Sequence, residues 1–260
     1  MSAPDAETLH VAAARGFQSG AATYASGRPD YPEAVVGWLR DPLGLAKGKV
    51  ALDLGAGTGK FLPSLSKTGA SVIAVEPVEA MRSELALAFP AVETRAGTAE
   101  AIPLPEERAD AIVCVQSFHW FSTPAALAEI RRVLKPGGRL GLVWNVRDES
   151  FGWVAELTRI LVPHEGDTPR FASGNWREVF PADGFSALEE ARFPQVHVGP
   201  PERVIVERML STSFIAAMDD KEIAKVAAEI RALIAATPEF YGLEEVAYPY
   251  VTFAYCCHKV

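Results

Sequence analysis

Cysteine is scarce in this chain: three among 260 residues, at Cys114, Cys256 and Cys257. Three thiols at these spacings make neither a disulfide framework nor the paired spacing of a zinc site. Cys114 stands in an apolar run and reads as a small core residue. Cys256, Cys257 and His258 are consecutive, and consecutive strand residues face opposite ways, so they cannot readily share one ion. No metal centre is expected. An excess of basic charge is also missing, since 25 Lys and Arg stand against 33 Asp and Glu for a net charge of -8. Without a broad cationic surface for a phosphate backbone, no nucleic-acid partner is expected. No uninterrupted apolar run approaches the ~20 residues needed to span a bilayer. The first 17 residues lack the basic start and apolar stretch of a secretory leader. No membrane association is expected, and the expected compartment is the cytoplasm. Internal repeats and low-complexity tracts are absent.

What is present is a hydrophobic content of 49% with 22% charged residues, enough apolar material for one large α/β domain over 1–260. Residues 5–15 read as a helix ending near Gly16. Residues 17–32 are irregular and rich in Gly, Tyr and Pro, and Pro32 opens a helix over Glu33–Arg40. An alternation follows. Strands are predicted at Lys49–Leu54, Ser71–Val75, Val92–Arg95, Ala109–Val115 and Arg139–Trp144. Helices are predicted at Lys60–Lys67, Val78–Phe89 and Pro124–Leu134, the last closed by the stop signal Lys135-Pro136-Gly137-Gly138. Strands alternating with helices imply a parallel sheet covered on both faces.

After about residue 150 the rhythm changes. Phe151–Leu161 reads as a helix, and 163–184 holds Pro, Gly and two short helical pieces. A strand is predicted at Ala187–Val198, helices at Glu202–Met218 and Lys221–Ala236, and a last strand at Val246–Cys257. Asp219 or Asp220 can cap the second of these helices. The organisation expected is a core of about 45–150 plus 187–260. An N-terminal cover occupies 1–40, and a helical insert of about 163–240 lies over the mouth of the sheet, where substrate-specific surface is usually built.

The central motif is Leu52-Asp53-Leu54-Gly55-Ala56-Gly57-Thr58-Gly59, which follows a predicted strand and opens a helix. Its glycines allow a sharp turn and close approach of a ligand at the carboxyl end of the first strand. Glu76, at the tip of the second strand, is placed to accept hydrogen bonds from ribose hydroxyls. A dinucleotide fingerprint requires Gly or Ala at the sixth position of the loop, and here it is Lys60. Asp53 ahead of the loop is also unusual for a nicotinamide site.

Asp53-x-Gly55-x-Gly57-x-Gly59 followed by Glu76 resembles motif I and the acidic second-strand motif of class I methyltransferases that use S-adenosyl-L-methionine. The resemblance continues through Gly97-Thr98-Ala99-Glu100-Ala101-Ile102-Pro103, Asp110–Gln116 and Glu129–Gly138, and covers about residues 49–145. It implies a Rossmann-like doubly wound sheet of seven strands, mostly parallel with the last antiparallel, under a helical cover. It also implies a cofactor, S-adenosyl-L-methionine, with its ribose on Glu76 and its methionine portion beside the loop of Asp53, Gly55, Ala56, Gly57 and Gly59. Its adenine would lie near Thr98, Ala99 and Glu100, with Pro77 and Gln116 adjoining.

Two further segments, Phe17-x6-Tyr24-x3-Arg28-Pro29-x-Tyr31-Pro32 and Gln116-Ser117-Phe118-His119-Trp120-Phe121, resemble the small-molecule methyltransferases that include the trans-aconitate methyltransferases. Tyr24 and Arg28 could fold over the cofactor. Arg28 could grip the methionine carboxylate or an acidic substrate, or simply pin the N-terminal segment. His119 follows the fourth strand and is the candidate catalytic residue, either a general base or a group that orients a substrate oxygen. The alternative is a packed histidine. Trp120 and Phe121 are candidate walls of the substrate pocket, with core as the alternative. Trp144 and Asn145 end the fifth strand and are expected to point at the mouth, Trp144 as a further candidate substrate contact.

The expected function is methyl transfer to a small molecule, at a carboxylate or a hydroxyl, by a monomer or homodimer. A nicotinamide-dependent oxidoreductase is the rival from another class, disfavoured by Asp53, the loop pattern and the lack of a Tyr-x-x-x-Lys pair at the expected place. A catalytically silent protein that binds S-adenosyl-L-methionine is a third alternative.

Overall fold

The computed structural model describes residues 28–260. The helix expected over 5–15, Tyr24 and most of the expected N-terminal cover lie outside the described residues. Within them the chain opens on helix α1 (Ala34–Arg40) and proceeds through strand β1 (Val50–Leu54), α2 (Leu62–Ser66), β2 (Ser71–Val75), α3 (Glu79–Ala88) and β3 (Glu93–Arg95). After β4 (Ala109–Val115) come α4 (Pro124–Val133), β5 (Leu134–Arg147), α5 (Gly152–Leu161) and β6 (Glu189–Gly199). A π-helical turn (Glu202–Glu207) leads through α6 (Arg208–Leu210) and α7 (Ser213–Ala216) to α8 (Asp220–Ala236) and β7 (Val246–His258).

The seven strands form one sheet in the order β3-β2-β1-β4-β5-β7-β6. Pairings from β3 to β5 are parallel, and β7 is antiparallel to both β5 and β6. The doubly wound fold with its antiparallel last strand is therefore as the sequence implies. The chain winds outward in both directions from β1, which leaves a crevice at the carboxyl ends of β1 and β4, the usual ligand position in such sheets.

Strand alternation divides the core between the two faces. Leu52, Leu54, Ile73, Ile112, Cys114, Leu140 and Trp144 point to the α4 side, with Leu127, Ile130 and Val133 against them. Ala51, Ala74, Ala111 and Val113 point to the side packed by Val35, Leu39, Leu62, Leu65 and Leu85. The alanines and Gly141 let the helices on that face come close; a Cβ on Gly141 would lie 2.7 Å from Leu43. A third cluster joins Val154, Leu157 and Leu161 of α5 to Val204–Val206, Met209, Phe214, Val226 and Ile230, and to Tyr248 and Tyr250 of β7.

Two expected elements differ. Strand β5 starts at Leu134, ahead of the Pro-Gly-Gly signal, because Leu134 pairs with Ala109 before a register shift brings Arg139 opposite Ala111. Gly137, at φ +68°, takes the turn inside the strand, as a bulge does. The helix expected over Glu202–Met218 is π-helical in its first piece, over Glu202–Glu207, and is broken in two at Ser211 and Thr212. There the Ser211 hydroxyl donates to the Arg208 carbonyl and competes with helix continuation. Asp219 caps α8 by accepting from the Glu222 amide at 2.9 Å.

Candidate active site

The site grows from the junction of β1 and β2. Gly55 and Ala56 donate their amides to the Val75 carbonyl at 2.8 and 3.2 Å, which straps the start of the glycine loop onto the end of β2. Gly55, Gly57 and Gly59 all have positive φ, at 72°, 58° and 84°, a region costly for residues with a Cβ. Their neighbours differ. A Cβ on Gly55 would meet Ser117 at 2.8 Å and one on Gly59 would meet Leu62 and Phe89 at 2.9 Å, whereas one on Gly57 would find only the Met81 sulfur, at 3.9 Å. Gly55 and Gly59 thus serve close packing, and Gly57 borders open space.

Glu76 is buried, yet both of its oxygens are engaged. Oε2 accepts the Gly57 amide at 2.8 Å and Oε1 accepts the Val78 amide at 2.9 Å. One carboxylate therefore shapes both the loop and the entry to α3. Burial raises its pKa, opposed by those two amides and by Arg82. Asp53, at the end of β1, is 1% exposed, and neither of its oxygens has a hydrogen-bond partner among the described residues. Burial, then the nearby Glu76, pushes its pKa up to about 7. An unpartnered buried carboxylate is costly unless a ligand supplies donors or positive charge.

The far wall of the crevice is the loop after β3. A Cβ on Gly97 would collide with Pro103 at 2.5 Å, so the loop folds tightly on itself. From α4, Glu129 accepts the Ile102 amide and Arg132 donates to the Ile102 and Leu104 carbonyls. Those contacts fix Thr98, Ala99 and Glu100 at the crevice. On the other side, Gln116 follows β4 with φ +56°, strained for a side-chain-bearing residue. Its amide donates to the Val143 carbonyl at 2.8 Å and its side chain to the Asn145 carbonyl at 3.2 Å. The Asn145 side-chain oxygen accepts from Thr252 at 2.6 Å and Gln195 at 2.8 Å.

These parts enclose one cavity. Of the residues singled out from the sequence, Arg28, Asp53, Gly55, Ala56, Gly57, Glu76, Pro77, Thr98, Ala99, Glu100, Gln116, Trp120 and Phe121 line it. Gly59, His119 and Trp144 do not. Trp144 is 1% exposed and packs against Phe171, Trp176 and Tyr255. Its neighbour Asn145 points into the cavity, as strand alternation requires. Trp144 Nε1 donates to His119 Nδ1 at 3.0 Å. Burial, then Arg28 and Arg170, lowers the His119 pKa to about 3, so the ring is neutral with its proton on Nε2. Lining residues that sequence reasoning missed include Lys60, Met81, Ser117 and Arg208. Ser117 and Lys60 adjoin recognised motifs, but Arg208 lies in the insert, where no motif marks it. Among the described residues no cluster of His, Cys, Asp and Glu could hold a metal ion, and no helix is long and apolar enough to cross a membrane.

Comparison with known proteins meets this geometry. A family model described as a methyltransferase domain matches residues 52–142, from β1 into β5. An uncharacterized methyltransferase-like protein of Schizosaccharomyces pombe is 38% identical over 94% of this chain and 95% of its own. The chain belongs to the methyltransferase family. An uncharacterized methyltransferase of Mycobacterium tuberculosis is 36% identical over 91% of this chain and 92% of its own. Among solved structures, one provisionally described as a type II methyltransferase of Anaeromyxobacter dehalogenans has a TM-score of 0.66 at 25% identity. It covers 89% of this chain and 96% of its own. A Haemonchus contortus phosphoethanolamine N-methyltransferase, solved with S-adenosyl-L-methionine, shares the fold at a TM-score of 0.55 and 15% identity, over 94% of this chain and 56% of its own. Within this family the cavity at the β1–β4 switch is the candidate active site.

Proposed function

We propose that this protein binds S-adenosyl-L-methionine in the cavity at the carboxyl ends of β1 and β2 and transfers its methyl group to a small molecule. The observation that carries the reading is the pair of buried carboxylates there. Glu76 holds the glycine loop open by accepting its Gly57 amide and keeps lone pairs for ribose hydroxyls. Asp53, with neither oxygen partnered among the described residues, suits a cationic ligand. A nucleotide cofactor bearing a sulfonium and an amino group fits both, and Gly57 leaves its backbone open to it. The adenine is assigned to the loop of Thr98, Ala99 and Glu100, with Pro77 beside it. The nicotinamide alternative is not favoured, since the sixth position of the loop is Lys60 in place of the Gly or Ala of a dinucleotide fingerprint.

When bound, the cofactor supplies an electrophilic methyl group for in-line displacement. The chain supplies alignment and exclusion of water. Gln116, strained at the mouth, fixes the end of β4, and Trp120 and Phe121 wall the acceptor side. His119 enters as a neutral residue. Its Nδ1 is occupied by Trp144 and its ring packs against Trp120, so it acts from behind the lining, holding Trp120 in place against the acceptor. We read residues 1–260 as one domain of the small-molecule subgroup, with the helical insert over the mouth of the sheet.

Calorimetry with S-adenosyl-L-methionine, S-adenosylhomocysteine and NAD tests the cofactor. Binding of the first two and not the third is expected, and the reverse would sink the reading. Methyl incorporation from labelled cofactor into a metabolite extract, with mass spectrometry of the product, then separates an enzyme from a silent binder.

A further inference from the structure

The cavity lining carries charge of both signs. Asp53 and Glu76 line it. Arg28 and Arg208 line it as well, on segments joined through Ser211. Arg208 lies outside every motif on which family membership rests and outside the matched domain of 52–142. It is the first residue after the π-helical turn Glu202–Glu207. Such turns widen a helix locally and recur at functional sites. Here the turn buries Val204, Ile205 and Val206 in succession, and Arg208 follows at the cavity wall.

Two of the three Arg208 guanidinium nitrogens, Nε and Nη1, are buried and without an acceptor among the described residues. The Tyr250 hydroxyl and Thr212 Oγ1 are buried and unpartnered there as well. Neighbouring groups supply more positive charge. Arg147 and Arg208 both act on the Tyr248 phenol, and Arg203, Arg208 and Lys60 all act on His197. Of the carboxylates around these cations, Asp30 is paired with Lys60 and Glu165 with Arg170. Arg28 donates to the carbonyl of Ser211 at 3.4 Å, and the Ser211 hydroxyl donates back to the Arg208 carbonyl. The two guanidinium-bearing segments are thus tied together at one wall. Buried cationic donors without acceptors are expensive to maintain, and a planar guanidinium matches the two oxygens of a carboxylate or phosphate.

We propose that Arg208 anchors an oxyanion group carried by the methyl acceptor, and that the π-helical turn aims its guanidinium into the cavity. The acceptor is therefore a small acid, with its charged end at Arg208. The assignment rests on the reading of Asp53 and Glu76 as the cofactor site.

The test is titration of the full chain, with and without saturating S-adenosylhomocysteine and at constant ionic strength, with sodium succinate, sodium phosphate and uncharged dimethyl succinate. Binding of succinate identifies a carboxylate and binding of phosphate a phosphoryl group. Either should weaken about 10- to 100-fold in Arg208→Gln, the scale for losing hydrogen bonds to a charged group. Dimethyl succinate should not bind. The proposal is overturned if neither anion binds in either state, if the neutral ester binds as well as the anion, or if Arg208→Gln binds the anion as the wild type does. Should Arg208→Gln fail to fold, Arg208→Lys decides: it keeps the charge but not the fork, so tenfold weakening supports the anchor and unchanged affinity overturns it. If the anion binds through Arg208 while S-adenosylhomocysteine does not bind at all, the cofactor reading falls and the anchor stands.

Discussion

The indole nitrogen of Trp144 donates to Nδ1 of His119 across 3.0 Å, and that single bond decides what His119 has left to offer. A neutral imidazole has one donor and one acceptor nitrogen. With Nδ1 committed as acceptor, Nε2 carries the proton.

From this follows a prediction about pH. Burial, then Arg28 and Arg170, holds the His119 pKa at about 3, against about 6.5 when unperturbed. The ring is uncharged at every pH at which the enzyme would be assayed. A depressed pKa contributes stability that is fully present above the unfolded value and is lost as pH falls from about 6.5 toward 3. His119→Gln should therefore flatten the acid limb of the stability curve. The turnover profile between pH 5 and 8 should show no limb that the variant removes, and its main effect should be a raised Michaelis constant for the acceptor. A fall in turnover of ~10²–10⁴ together with loss of a limb would make His119 a base instead.

A second prediction separates the glycines of the loop. At Gly57 an added side chain enters the cavity, so Gly57→Val should abolish cofactor binding while the protein remains folded by circular dichroism. The strain of a β-branched residue at positive φ adds ~1–2 kcal/mol. At Gly59 a Cβ would strike Leu62 and Phe89, so Gly59→Ala should lower stability by ~1–3 kcal/mol. If thermal melting shows Gly57→Val to be the less stable of the two, the assignment of these glycines is reversed.

How much of this was legible beforehand varied with the kind of signal. Strand β4 coincides with the expected Ala109–Val115 because the apolar run Ala111–Val115 is flanked by the polar segments Glu106–Asp110 and Gln116–Ser117. The lining by Asp53, Gly57 and Glu76 followed from strand, loop and strand in order. Trp144 and Asn145 show the limit: position at the end of the fifth strand points both to the mouth, but strand parity sends Trp144 into the core and leaves Asn145 alone at the cavity. Gly59 looked like a ligand glycine because loop spacing carries no record of the helix packed behind it. Arg208 was illegible, since the π-helical turn that places it depends on packing against β7 and leaves no periodicity in the sequence.

Glu76 supports a third prediction. Its two oxygens accept from Gly57 and Val78, so Glu76→Ala should both loosen the loop and remove the ribose contacts, weakening S-adenosylhomocysteine by ~1–3 kcal/mol. Glu76→Gln is the sharper variant. An amide has only one acceptor oxygen, so one of the two backbone amides loses its partner, and affinity should fall even though size and shape are kept. Calorimetric affinity equal to wild type in both variants would remove Glu76 from the site.

The last prediction concerns Asp53, where stability and binding should move in opposite directions. Burial, then Glu76, raises its pKa to about 7, while an unfolded carboxyl titrates at about 3.9. Below pH 4 both states hold the proton and no penalty arises. As pH rises from about 4 to 7 the unfolded chain gives up its proton and the folded chain keeps it. Stability therefore falls across that window and levels off above it. Asp53→Asn removes the titration, so the ligand-free variant should be more stable than wild type at pH 8, by ~1–4 kcal/mol, and no different at pH 4. Binding should show the opposite sign. A cationic cofactor favours the ionised carboxylate, so the wild type should gain affinity for S-adenosyl-L-methionine from pH 6 to 8 relative to Asp53→Asn, which should bind more weakly throughout. Melting curves and calorimetry on the same two proteins at three pH values provide both readouts. A variant that is less stable at pH 8 than wild type would show that Asp53 is satisfied in the folded state. A variant that binds equally well would show that its charge does not face the cofactor.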